Sequence, residues 1–238
     1  MTSFTWALTE LARAQKPRRG VSVYSRFINR PLGRLLAAAC FTLRLSPNAV
    51  TLASAVMTAA GLAVLVAGPP SAWRAVAVML LLVLGFALDS ADGQVSRLTG
   101  RGSPAGEWLD HVVDAGKMVA VHGCVLVALY LYVPVAPGLL ALPLAFQVVA
   151  VVMFAGGLLV DLLKRSIPAD GAATTREPSM LRALALLPAD YGILALSFVV
   201  FGWPPAFLMV YALLLVANLA IAVLLLAKWF RELRSLRR

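Results

Sequence analysis

Apolar residues run through this chain in long blocks, broken by proline-glycine and charged punctuation instead of alternating with polar positions. The blocks cover residues 49–67, 73–96, 106–132 and 139–163, a shorter piece at 189–201, and a last stretch ending near Trp229. A helix needs roughly 20 mostly apolar residues to cross a bilayer. The pattern therefore predicts an all-α, polytopic membrane protein with six transmembrane helices. Gly68-Pro69-Pro70, Val133-Pro134 with Pro137-Gly138, and Gly202-Trp203-Pro204-Pro205 supply the turns. Upstream, Arg26, Arg30 and Arg34 recur at every fourth position, with Phe27, Ile28, Leu35 and Leu36 beside them. That spacing predicts an N-terminal amphipathic helix on an anionic leaflet, begun or kinked at Pro31. The expected layout is a basic region with this surface helix over residues 1–45, a six-span domain over 46–229, and a basic tail over 230–238.

Composition points the same way. The 238 residues are 61% hydrophobic and 13% charged, too apolar for a soluble chain of this size to cover with a polar skin. The net charge of +10 suggests nucleic acid only until the charges are placed. Eight Lys or Arg precede Asn48. Arg97 and Arg101 fall between the second and third spans, and Lys164, Arg165, Arg176 and Arg182 between the fourth and fifth. Lys228, Arg231, Arg234, Arg237 and Arg238 close the chain, while the opposite connectors hold only Arg74. Both termini on the cytoplasmic side satisfy every segment of the positive-inside rule. The positive charge is thus a topology signal, and no nucleic-acid partner is expected. Richness in Ala, Leu and Arg suggests a multi-pass protein of a bacterial cell membrane.

Acidic residues carry the chemistry. Only 11 exist, and five lie between Asp89 and Asp114. Asp89 and Asp92 share one helix face near the end of the second span, as do Asp110 and Asp114 near the start of the third. A connector over residues 93–105 folds the two helices into a hairpin and brings the four carboxylates to one level. Carboxylates that close in apolar surroundings need countercharge, and only Arg97, Arg101 and Lys117 are near. Hard divalent cations, Mg²⁺ or Mn²⁺, supply it through oxygen ligands. Two such ions would clamp a pyrophosphate. Gly93 lets a substrate approach the helix, Gly106 allows close helix contact, and Ser103 before Pro104 suits a helix cap or a phosphate donor.

The segment Asp89-x2-Asp92-Gly93-x2-Ser96-Arg97-x8-Gly106-x3-Asp110-x3-Asp114 resembles the signature of the CDP-alcohol phosphotransferase family. Ser96 is the one departure, since the family usually has Ala there. Pro47-Asn48-x2-Thr51 resembles the family's opening of its first span. The resemblance implies two divalent ions held by Asp89, Asp92, Asp110 and Asp114, with Asp114 also the general base. It implies CDP-donor contacts from Asn48, Thr51, Gly93, Arg97, Ser103 and Gly106. It further implies transfer of a phosphate-linked group, with CMP release, from a CDP donor (CDP-diacylglycerol) to a hydroxyl acceptor in phospholipid biosynthesis. Homodimers are common in the family.

The acceptor is less marked. Lys164, Arg165, Arg176 and Arg182 are candidates for a pocket around a phosphorylated acceptor, and Asp190 beside Tyr191 is a further candidate polar contact. The run from Ser103 to Ala115 also resembles the choline and ethanolamine phosphotransferases, in which the CDP carries the head group and diacylglycerol accepts it. Outside this chemistry, an intramembrane prenyltransferase would keep its acidic motifs far apart in sequence. A divalent-cation transporter would spread its aspartates across the membrane. His111 suits a helix-interface position beside a metal aspartate, and His122 shows no partner in the sequence.

Overall fold

The computed structural model describes residues 3–13, 21–166 and 179–235, and no strand occurs among them. Helices α1 (Phe4–Arg13) and α2 (Arg30–Thr42) precede α3 (Pro47–Val66), α4 (Ala72–Thr99), α5 (Pro104–Tyr132) and α6 (Ala141–Arg165). Then come α7 (Met180–Ala185), α8 (Tyr191–Ser197) and α9 (Pro204–Ser235). Five helices are long and apolar enough to cross a membrane: α3, α4, α5, α6 with the turn before it, and α9. The block at 189–201 forms only a shorter apolar helix, Tyr191–Val200, about 15 Å long at 1.5 Å per residue. The six expected spans are therefore five of full length and one of half length. The last helix continues past the expected boundary at Trp229 to Ser235.

Local chemistry sets these ends. Ser46 caps α3 by accepting the Ala49 N–H at 3.2 Å, and Pro47 takes the first turn, where no donor is needed. Ser103 and Pro104 repeat the device at α5, with the Gly106 N–H donating to Ser103 Oγ at 3.1 Å. Helix α4 runs to Thr99 and closes on Gly100 at φ 65°. The hairpin connector is thus residues 100–103, and Gly93, Ser96 and Arg97 lie on the helix, not in the loop expected over 93–105. Before α2, residues Ser25–Asn29 form a π-turn. Pro31 explains it: it has no N–H to return to the preceding turn, and its ring crowds the carbonyl four residues back. Arg26, Arg30 and Arg34 are half-buried, whereas Phe27, Ile28, Leu32 and Leu35 are exposed. The free face of this segment is apolar, and the arginines turn inward from the headgroup position expected of them.

Close packing rests on small residues. Ser54 Oγ donates to the Gly85 carbonyl at 2.8 Å, and a Cβ on Gly85 would sit 2.5 Å from Thr58 Oγ1. This lets α3 and α4 approach as small-residue membrane interfaces do. On the other side, Gly156 of α6 receives the ring of Trp229 from α9, so Trp229 packs inward while Trp73 and Trp203 are exposed. Two apolar clusters result. One joins α1 and α2 to Val50, Ala91 and Val95. The other fills the opposite end of the bundle with Leu65, Val78, Phe198, Phe201, Phe207 and Tyr211.

Candidate active site

The acidic hairpin assembles as its spacing predicts, with one difference. Asp89 on α4 and Asp110 and Asp114 on α5 each offer an oxygen within 4.8 Å of the others. Asp92 turns aside. It is 6% exposed, accepts the Thr51 hydroxyl on Oδ2 at 2.6 Å, and accepts the Gly93 N–H on Oδ1 at 2.5 Å. Thr51 comes from α3, so the first span fixes the carboxylate of the second. Lys117, 8% exposed, sends its ammonium between Asp89 and Asp114; it contacts Asp89 Oδ1 and lies 3.1 Å from Asp114 Oδ1. One turn separates Lys117 from Asp114 on α5, which is why the lysine can fold back to it.

Beside the carboxylates opens a cleft of about 560 Å³. All six positions expected to contact the CDP donor line it: Asn48, Thr51, Gly93, Arg97, Ser103 and Gly106. Asp92, Asp110 and Ser96 line it too, while Asp89 and Asp114 lie outside its wall. Gly106 matters sterically, because a Cβ there would meet Asn48 Oδ1 at 3.0 Å. Gly93 leaves room for the Arg97 guanidinium, whose Nη1 would lie 3.3 Å from a Cβ at Gly93. Ser103 serves as helix cap and also faces the cleft.

The acceptor candidates separate. Arg165 lines the cleft and pairs with Glu107 at 2.5 Å. Lys164 instead pairs with Glu232 of α9 at 2.6 Å, and Arg182 is exposed on α7; neither lines the cleft. Arg176 lies outside the described residues. Asp190 caps α8 through the Gly192 N–H at 2.8 Å and accepts both Ser22 and Ser25 hydroxyls, the latter at 2.5 Å. It thus ties the segment before α2 to α8. Burial, then the Asp190 charge, pushes the Tyr24 phenol above its usual range. His111 lines the cleft with Nε2 3.8 Å from Glu107. His122, without a visible partner in the sequence, has one in Tyr211, with Nδ1 2.5 Å from the phenol oxygen.

The profile of the CDP-alcohol phosphatidyltransferase family matches residues 44–230, most of the chain. The chain belongs to that family. Archaetidylinositol phosphate synthase of Aeropyrum pernix is 35% identical over 131 residues, 53% of this chain and 56% of that protein. The chain thus spans about half the length of this curated relative. The fold is similar to the crystal structure of Mycobacterium tuberculosis phosphatidylinositol phosphate synthase with CDP-DAG bound. The TM-score is 0.57 at 22% identity, covering 85% of this chain and 94% of that one. This family member therefore keeps its motif carboxylates in a membrane-embedded hairpin. Its buried lysine and Arg165 at the cleft wall were the features least evident from the motif itself.

Proposed function

We propose that this protein transfers the phosphatidyl group of CDP-diacylglycerol to a hydroxyl acceptor and releases CMP. The observation that carries the reading is the single cleft in which every expected donor-contact residue meets Asp92 and Asp110, with Asp89 and Asp114 adjoining. The bound CDP-DAG named for the mycobacterial structure supports the donor. The name of the archaeal relative supports an inositol phosphate acceptor, and Arg101 and Arg165 on the cleft wall are suited to its phosphate.

Three carboxylates with converging oxygens fit hard divalent cations such as Mg²⁺ or Mn²⁺. Asp89, Asp110 and Asp114 would hold them, with Asp92 reaching in from its bond to Thr51. Two ions, when bound, supply positive charge to the pyrophosphate and the departing CMP. The protein's own groups do the rest. Arg97 pairs with phosphate oxygens, and Asn48 and the exposed backbone at Gly93 seat the nucleotide. Asp114 takes the proton from the acceptor hydroxyl as its oxygen bonds to the β-phosphorus. The bond from that phosphorus to CMP breaks, and CMP carries away the electron pair. Basic connectors on the cleft side support a cytoplasmic placement, and the family resemblance supports a homodimer.

The test is acceptor-dependent CMP release by purified protein in detergent with Mg²⁺. CDP-diacylglycerol is offered with inositol phosphate, glycerol 3-phosphate, inositol or serine, and CDP-choline with diacylglycerol. Release with the first donor, lost on chelation and lowered about 10²-fold or more in Asp92→Asn and Asp114→Asn, supports the reading. Release only from CDP-choline transfers the reaction to the other branch of the family.

A further inference from the structure

Two buried hydroxyls beneath the carboxylates have no hydrogen-bond partner among the described residues: Tyr191 Oη and Thr58 Oγ1. Thr58 is 2% exposed and sits against Gly85, one helical turn before Asp89 on the same face of α4. The Tyr191 phenol lies beside the Thr58 hydroxyl, close enough for the two to interact though not aligned as a well-formed hydrogen bond, and within electrostatic reach of Asp89 and Asp114. Lys117 occupies the corresponding turn of α5, one turn below Asp114. Its ammonium engages Asp89 and Asp114, two of the three carboxylates that converge on the metal position. Two buried hydroxyls paired only with each other, and poorly, keep acceptor capacity that a donor can use in another state of the site.

We propose that Lys117 is a positioning residue that competes with the second divalent ion for Asp89 and Asp114, and swings to Tyr191 and Thr58 when that ion arrives with the CDP donor. The proposal rests on the two-ion reading above. Charge explains the order of events. Four carboxylates against one ammonium leave a formal −3, which one divalent ion lowers to −1. A second ion alone would overshoot to +1 in a low-dielectric setting. The donor's pyrophosphate brings −2 with it, so the second ion and the donor neutralise each other. Thr58, set against Gly85, lies one turn from Asp89 as Lys117 lies one turn from Asp114, and hydroxyl oxygens there can accept from an ammonium on a flexible four-carbon stem. No carboxylate then loses an ion pair without the lysine gaining new partners.

The experiment is calorimetric titration of the purified protein with Mn²⁺, alone and with CDP present. Wild type is expected to bind one Mn²⁺ without CDP and two with it. Lys117→Met is expected to bind the second ion without CDP, or to bind Mn²⁺ about tenfold tighter, whereas Lys117→Arg keeps the wild-type order. Tyr191→Phe, which removes a landing acceptor but no ligand, is expected to weaken the second ion several-fold. The Tyr191 variant also serves if Lys117→Met fails to fold. Equal Mn²⁺ binding by wild type and folded Lys117→Met, or no change in Tyr191→Phe, overturns the proposal while leaving the metal site standing. No Mn²⁺ binding by wild type with or without CDP overturns both.

Discussion

Arg44 holds φ 57° in the turn that closes α2. Its N–H donates to the Phe41 carbonyl at 2.9 Å, and that of Leu45 to Cys40 at 3.0 Å. This is the paired closure usually built around glycine. A side chain in that region costs roughly 1–2 kcal/mol, partly offset by the greater chain entropy of glycine. Arg44→Gly is therefore expected to raise the thermal midpoint in detergent, by up to about 1 kcal/mol of stability, and to leave CMP release unchanged. No sequence signal marks this arginine, because between Leu43 and Leu45, just ahead of the first span, it reads equally well as part of the basic flank. The aspartates are the opposite case. Carboxylates are so scarce in this chain that four at helical spacing in apolar blocks point to countercharge before any fold is known. Lys117 was visible as a nearby cation, but its direction was not, since a lysine at that spacing can face back along its helix or outward to headgroups.

Elements were legible where a local rule decided them. Serine-proline pairs place the starts of α3 and α5, and the Gly68-Pro69-Pro70 and Val133-Pro134 signals mark where α3 and α5 stop. Helix α4 overran its expected end because Gly93 reads as a breaker. In fact it sits inside the helix, where its missing side chain makes room for Arg97. Helix α1 was not anticipated, although Phe4, Ala7, Leu8 and Leu11 fall on one face; the polar residues among them hid the period. Long-range ties were invisible, and the segment before α2 shows why. Its serines meet Asp190 across more than 160 residues, and the Tyr24 ring lies where a Cβ on Gly192 would be, 1.9 Å away. Gly192→Ala is expected to force that segment off α8 and lower the thermal midpoint markedly. Combining it with Tyr24→Ala should recover part of the loss, and a double-mutant cycle reads the coupling. Strictly additive effects would show that the two elements do not share this contact.

At the scale of the whole molecule, charge asymmetry and apolar blocks were enough to place the protein in a bilayer, but not to give one of its helices half the usual length. Helix α8 begins beside the carboxylates at Tyr191, and its 3-10 extension ends at Val200, near the turn that starts α4, where Phe198, Phe201 and Phe207 pack with ring centroids 5.2–6.5 Å apart. That aromatic floor lies on the side of the bundle away from the cleft. A catalyst that admits water, ions and a charged nucleotide between the ends of its helices must not let protons follow them across the bilayer. Among the described residues, that apolar floor is expected to make the bundle a blind well. Vesicles carrying the protein should hold an imposed pH gradient as long as empty ones do, with or without Mg²⁺ and CDP. Replacing Phe198 and Phe207 together by alanine should shorten the life of that gradient. Electrical tightness, then, is a condition that this fold is expected to satisfy alongside its chemistry.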